Sequence, residues 1–140
     1  MTTDCILTVN SGSSTIKFGI FEPISAQPSC LGKALLRLQT GPSDMRIALT
    51  TGGELTFPIV SPAEDLDSVI VEAIGVLREA IGGDLVAVGH RVVHGGDYFA
   101  GPAEITPQVL DRIKSLVPLA PLHQPQSIRI IEAIGRVHPF

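Results

Sequence analysis

The sequence predicts an α/β fold, a mixed β-sheet with flanking helices. Three observations carry this. The stretch up to Val60 contains repeated short apolar runs separated by turn residues. An apolar stripe at helical spacing then runs from Leu66 to Ile81. A β-branched run follows, and two proline-initiated helical stretches complete the chain. Strands first, then helix, strand, helix and helix, fit a sheet with helices packed on it.

Cys5 to Val9 is a short apolar strand that stops at Asn10. Ser11-Gly12-Ser13-Ser14 is a small-residue turn. Thr15 to Phe21 alternates, with Ile16, Phe18 and Ile20 on one face and Lys17, Gly19 and Phe21 on the other. The two runs form a hairpin. Pro23 and Pro28 interrupt the next stretch. Leu31 to Leu38, Met45 to Thr50 and Leu55 to Val60 are further strands, the last set off by Gly52-Gly53. Ser61-Pro62-Ala63-Glu64 has capping-box spacing and predicts the start of the first helix. Gly82-Gly83 ends that helix. Leu85 to Val93 reads as a buried strand. Thr106-Pro107 opens a second helix reaching about Leu116. Val117 to His123 is punctuated by prolines, and Pro125 stands where a third helix begins, running through Ile128, Ile131 and Ile134.

The chain has 140 residues and a mass of 14.8 kDa, enough for one ordinary domain. Hydrophobic residues make up 44% and charged residues 17%, which excludes a charge-dominated disordered segment. A mean hydropathy of +0.35 leaves more apolar surface than a small domain easily hides. The net charge of −4 removes the global basic field that nucleic acid or an anionic membrane surface requires. No apolar run approaches the roughly 20 residues of a spanning helix, and the opening residues lack a signal-peptide pattern. Cys5 and Cys30 have neither metal spacing nor the number for a disulfide framework, so a reduced, cytoplasmic setting is expected. The chain stops at His138-Pro139-Phe140, directly after an apolar helix, and reads as cut from a larger protein.

Three places could carry chemistry. In Asn10-Ser11-Gly12-Ser13-Ser14-Thr15-Ile16-Lys17, hydroxyls and turn N–H groups can cradle phosphate oxygens or a hydrated cation. Lys17 adds a point charge, and Asn10 offers a hard oxygen for Mg2+. An ordinary hairpin turn would use the same residues. This is not a Walker A loop, because the G-x-x-x-x-G-K-[ST] spacing is absent and strand rather than helix follows.

In His90-Arg91-Val92-Val93-His94-Gly95-Gly96, a strand puts His90, Val92 and His94 on one face and Arg91 and Val93 on the other. A guanidinium beside an apolar wall suits a short carboxylic acid. The alternatives are Arg91 paired with a structural acid, or a histidine metal site, for which no third ligand has matching spacing. In Leu119-Ala120-Pro121-Leu122-His123-Gln124-Pro125, two prolines stiffen a loop before a helix. His123 then sits at the anion-favouring helix N-terminus. A structural turn with a surface histidine is the plain alternative.

Together, ILTVNSGSSTIKFGIF, VGHRVVHGG and LAPLHQPQS resemble the acetate kinase (acetokinase) family, in order and in separation. The resemblance implies the N-terminal part of a ribonuclease H-like, actin-like ATPase domain. It implies reversible phosphoryl transfer from ATP to acetate, giving acetyl phosphate and ADP, with Mg2+. Asn10 resembles the metal-associated asparagine. Lys17, Ser13 and Thr15 are similar to the ATP-binding residues. Arg91 resembles the carboxylate-binding arginine, Val93 and Leu122 the walls of the acyl pocket, and His123 a histidine near the transferring phosphoryl group. Gln124 stands where the family most often has Asn, a change expected to matter little.

Family members are nearly three times as long and homodimeric. Residues 1–140 are therefore expected to be an N-terminal domain without the C-terminal nucleotide-binding domain, and to turn over little or no substrate alone. Relatives acting on propionate or butyrate, a non-catalytic truncated module and a histidine-based metal hydrolase are the competing expectations.

Overall fold

The computed structural model describes residues 3–138 apart from Ser25. The Pro139-Phe140 pair, read as the end of an interrupted chain, lies outside the described residues. Six strands come in the order β1 (Cys5–Ser11), β2 (Thr15–Glu22), β3 (Ser29–Arg37), β4 (Ser43–Leu49), β5 (Glu54–Ile59) and β6 (Leu85–His90). Helix α1 (Leu66–Ile81) lies between β5 and β6. Helices α2 (Pro107–Ser115) and α3 (Gln124–Val137) follow β6, with a 3-10 turn at Val117–Leu119 between them.

The strands form one mixed sheet ordered β5-β4-β3-β2-β1-β6. β1 to β5 are a chain of antiparallel neighbours, whereas β6 joins β1 in parallel. Parallel neighbours need a crossover, and α1 supplies it.

The alternation read from the sequence decides which face is buried. Leu7, Val9, Ile16, Phe18, Ile20, Leu36, Met45 and Ile47 are buried together. Val69, Ile70, Ala73, Ile74 and Leu77 of α1, and Ile130, Ala133 and Ile134 of α3, close over them. Burying one such large side chain is worth about 1.5–3 kcal/mol. The alternate residues Thr8, Lys17, Lys33, Arg46 and Ala48 are exposed on the other face.

Two boundaries differ from the sequence reading. Ser61 does not cap α1. Asp65 does, its carboxylate accepting from Ser68 N at 3.1 Å and from Ser68 Oγ at 2.6 Å. These hydrogen bonds hold the Asp65 carboxyl below its ordinary pKa, the Ser68 side chain most. Ser61 is used elsewhere: its N–H and that of Val60 donate to Glu72 at 2.8 and 2.7 Å, pinning the end of β5 to α1.

The second difference is at β6, which ends at His90 rather than Val93. The N–H of Arg91 donates to Val9 O at 2.9 Å, and the chain then leaves the sheet. The shared strand faces expected for His90, Val92 and His94, and for Arg91 and Val93, therefore do not form.

The departure is held by two glycines. Gly96 has φ +55, and a Cβ there would stand 2.5 Å from Leu116 Cδ2. A Cβ on Gly95 would stand 2.6 Å from Phe99 O. This Gly pair lets the protein's own backbone and Leu116 approach closely.

Candidate active site

The end of β1 organises the site. Asn10 is opposite Lys17 in the β1–β2 register. The turn between them is closed by Gly12 N donating to Thr15 O at 2.7 Å. Ser13 at its tip is exposed and Thr15 is half-buried. Lys17 projects from the open face, because its neighbours Ile16 and Phe18 fill the core. On the other side of β1, Val9 pairs with His90, so Arg91 leaves the sheet beside the end of β1.

Helix α3 brings the third segment. Thr106 and Pro107 start α2 as the sequence predicts, with Thr106 Oγ1 accepting from Val109 N at 3.2 Å. The prolines after α2 turn the chain back, and His123 becomes the N-cap of α3. Its side chain makes no capping hydrogen bond and is exposed. The first turn of α3 is tied to the hairpin, since Ser127 Oγ lies 3.3 Å from Ser11 Oγ and also donates to His123 O at 3.4 Å. Thus Asn10, Lys17, Arg91 and the His123 helix end gather at one end of the sheet.

Gln124 completes the join. It is wholly buried, and its Nε2 donates to His94 O at 3.2 Å and Ile113 O at 3.3 Å. One side chain therefore fastens α3, α2 and the segment after β6. The Asn-to-Gln difference had seemed slight in the sequence, yet the longer amide spans three elements. A signal was present: Gln124 and Ser127 fall on the same helical stripe as Ile128, Ile131 and Ile134, where polar residues are unexpected.

The electrostatics favour an anion. Among the described residues, neither Lys17 nor Arg91 has an ion-pair partner. Arg91 is exposed and, with His90, lines a cleft of about 440 Å3. Burial pushes the His90 imidazole down to about 4, so it is neutral near pH 7. His94 Nδ1 accepts from Gly96 N at 2.9 Å, which leaves Nε2 to carry the proton in the neutral ring. Val93 is 51% exposed and Leu122 85% exposed, and neither lines the Arg91 cleft. Among the described residues, no three His, Cys, Asp or Glu side chains gather in a metal-binding group. No described helix is long and apolar enough to cross a membrane.

The sequence profile of the acetokinase family matches residues 5–140. The chain belongs to the acetokinase family. It is 34% identical to the acetate kinase of Rhodopseudomonas palustris over 141 residues, covering 97% of this chain and 35% of that protein. It is 38% identical to the acetate kinase of Deinococcus radiodurans over 137 residues, covering 95% and 33%.

Among solved structures, Porphyromonas gingivalis acetate kinase superposes with a TM-score of 0.82 at 26% identity, over 97% of this chain and 35% of that one. A propionate kinase from Francisella tularensis gives 0.75 at 27% identity, over 99% and 35%. The fold is thus the actin-like ATPase arrangement of the acetate kinases. The chain spans about a third of the length of the relatives it matches.

Proposed function

We propose that residues 1–140 are the N-terminal domain of an acetate kinase, which passes the γ-phosphoryl group of ATP reversibly to acetate. The observation that carries this reading is the gathering of Asn10, Lys17, Arg91 and His123 at one sheet end, with neither cation in an ion pair among the described residues.

In the forward direction a carboxylate oxygen forms a bond to the γ-phosphorus, and the bond to the bridging oxygen of ADP breaks. Such transfer depends on alignment and charge stabilisation more than on covalent catalysis. Arg91 grips the carboxylate through parallel N–H bonds and aims its attacking oxygen. Lys17, with the Ser13 and Thr15 hydroxyls of the hairpin, holds the phosphate oxygens of ATP. His123 donates to the transferring phosphoryl group from the end of α3, where the helix dipole adds to the field.

Val93 and Leu122 enclose the acyl methyl once the remainder of the enzyme covers them. The donor set fits a Mg2+ held mainly by phosphates and water, with Asn10 giving one oxygen directly or through water. That ion neutralises phosphate charge when bound.

The chain alone is expected to bind ligands and to form little acetyl phosphate. The test is an acyl-phosphate assay on the 140-residue chain beside titrations with acetate and ATP. Arg91→Ala should abolish the acetate response and Lys17→Ala weaken that to ATP. Retention of both responses would overturn the residue roles. Ordinary kinase rates from the chain alone would overturn its dependence on a second domain. Ligand binding without any role for Arg91 would favour a non-catalytic module.

A further inference from the structure

The two edges of the sheet are built differently. β5 contains Pro58, which has no N–H to offer, and the exposed acid Glu54. Both discourage another strand from pairing there. β6, at the opposite edge, reads Leu-Val-Ala-Val-Gly-His and contains no proline, acid, lysine or arginine.

The register decides which groups of β6 are free. It pairs with β1 through Ile6↔Ala87, Leu7↔Val88, Thr8↔Gly89 and Val9↔His90, and Val9 O receives the Arg91 N–H. In a parallel ladder of that phase, the N–H and C=O of Ala87 and Gly89 point at β1. Those of Val88 and His90, and the carbonyl of Val86, point away from it. None of these outward groups has a hydrogen bond among the described residues. The Leu85 carbonyl just before them accepts from His138 Nε2, which sets where the free strip begins. Val86 is 43% exposed and Gly89 is exposed, so the strip is accessible. Two residues of the 140-residue sequence lie beyond His138, fewer than a further strand needs.

We propose that the 140-residue chain pairs with a second copy through this edge, β6 against β6, antiparallel about a twofold axis at Val88. The pattern of free groups selects that occupant. Across such an axis Val88 faces its own copy, and the two exchange N–H···O bonds. Each His90 N–H then meets the Val86 carbonyl of the other copy. The Val88 and His90 donors, which β1 leaves unused, all gain acceptors. The same patch is used on both copies, so the pair closes and does not grow into a filament.

The test combines sedimentation equilibrium with amide hydrogen exchange over a wide range of chain concentration. The expected result is a monomer–dimer equilibrium without larger species. Exchange at Val88 and His90 should slow as the dimer fraction rises, while Ala87 and Gly89, already bonded to β1, should not change. Val88→Pro removes the central donor and leaves the bonds of β1 to Ala87 and Gly89. Losing two hydrogen bonds per dimer should raise the dissociation constant about thirtyfold. Val86→Lys puts a charge on the edge from an exposed side chain and should also weaken the dimer. If the amide spectrum shows Val88→Pro unfolded, Val86→Lys and the exchange pattern decide.

A chain that stays monomeric at every concentration overturns the proposal. So does a dimer in which Val88 and His90 exchange as fast as in the monomer, or one that folded Val88→Pro and Val86→Lys chains form as tightly as wild type. Growth into open-ended assemblies overturns the twofold pairing.

Discussion

Ser11 Oγ stands 3.3 Å from Ser127 Oγ across 116 positions of sequence. This contact joins the β1–β2 hairpin to the first turn of α3. It matters because Ser127 is itself buried and its hydroxyl also reaches the His123 carbonyl. The loop histidine and the hairpin are therefore positioned as one unit rather than as two independent loops.

Removing this hydroxyl tests the coupling. Ser127→Ala should cost about 1 kcal/mol of stability, the usual net worth of a neutral hydrogen bond. Urea denaturation measures that cost. Amide shifts confined to the Ser11–Thr15 turn and the start of α3 would identify the lost link. Shifts spread through the sheet would instead indicate general loosening.

Gln124 carries a larger stake. Its amide satisfies two backbone carbonyls from a site with no solvent exposure. Gln124→Leu keeps the approximate volume but takes the amide donor from His94 O, while Ile113 O keeps the Leu116 N–H at 3.1 Å. The expected loss is about 1–3 kcal/mol, visible as a lower urea midpoint. Gln124→Asn should recover part of it, because a shorter amide reaches one carbonyl more easily than two. A midpoint unchanged in Gln124→Leu would show that the clamp contributes nothing.

Acid should weaken the fold through His90. Its pKa is 6.5 in the unfolded chain and about 4 in the native one, because burial disfavours the charged ring. The unfolded state therefore binds the proton first as pH falls. Stability is full above 6.5 and is lost progressively toward about 4, by about 3 kcal/mol in total. Urea midpoints at pH 7.5 and 5.0 should differ in the wild-type chain and converge in His90→Gln. Glu72 acts lower, below its ordinary value of 4.5, because hydrogen bonds chiefly from Val60 N stabilise its carboxylate. Stability from that contact is present above the ordinary value and lost as pH falls through the depressed one. A pH response identical in wild type and His90→Gln would remove His90 as its cause.

Much of the molecule was legible along the chain. The alternation from Thr15 to Phe21 fixed which residues face the core, because side chains on a strand alternate whatever lies beside it. The stripe from Leu66 to Ile81 and the Thr106-Pro107 start marked helices for equally local reasons. The three motifs were contiguous words, and family membership followed from them. The Asp65 cap was missed because Ser61 and Asp65 both have capping chemistry. The choice between them turned on Glu72, eleven residues beyond Ser61.

Local sequence determined element type, the buried face of each strand and the family. Only the tertiary structure decided the rest. It set β6 parallel to β1, ended that strand at His90, buried Gln124 between three elements and put Phe99, Ile105, Val109 and Ile113 beside Arg91. The division has one physical cause. Backbone geometry and periodicity act over a few residues. Strand order, strand ends, buried polar partners and cleft walls depend on groups that come together only after the chain has crossed the sheet.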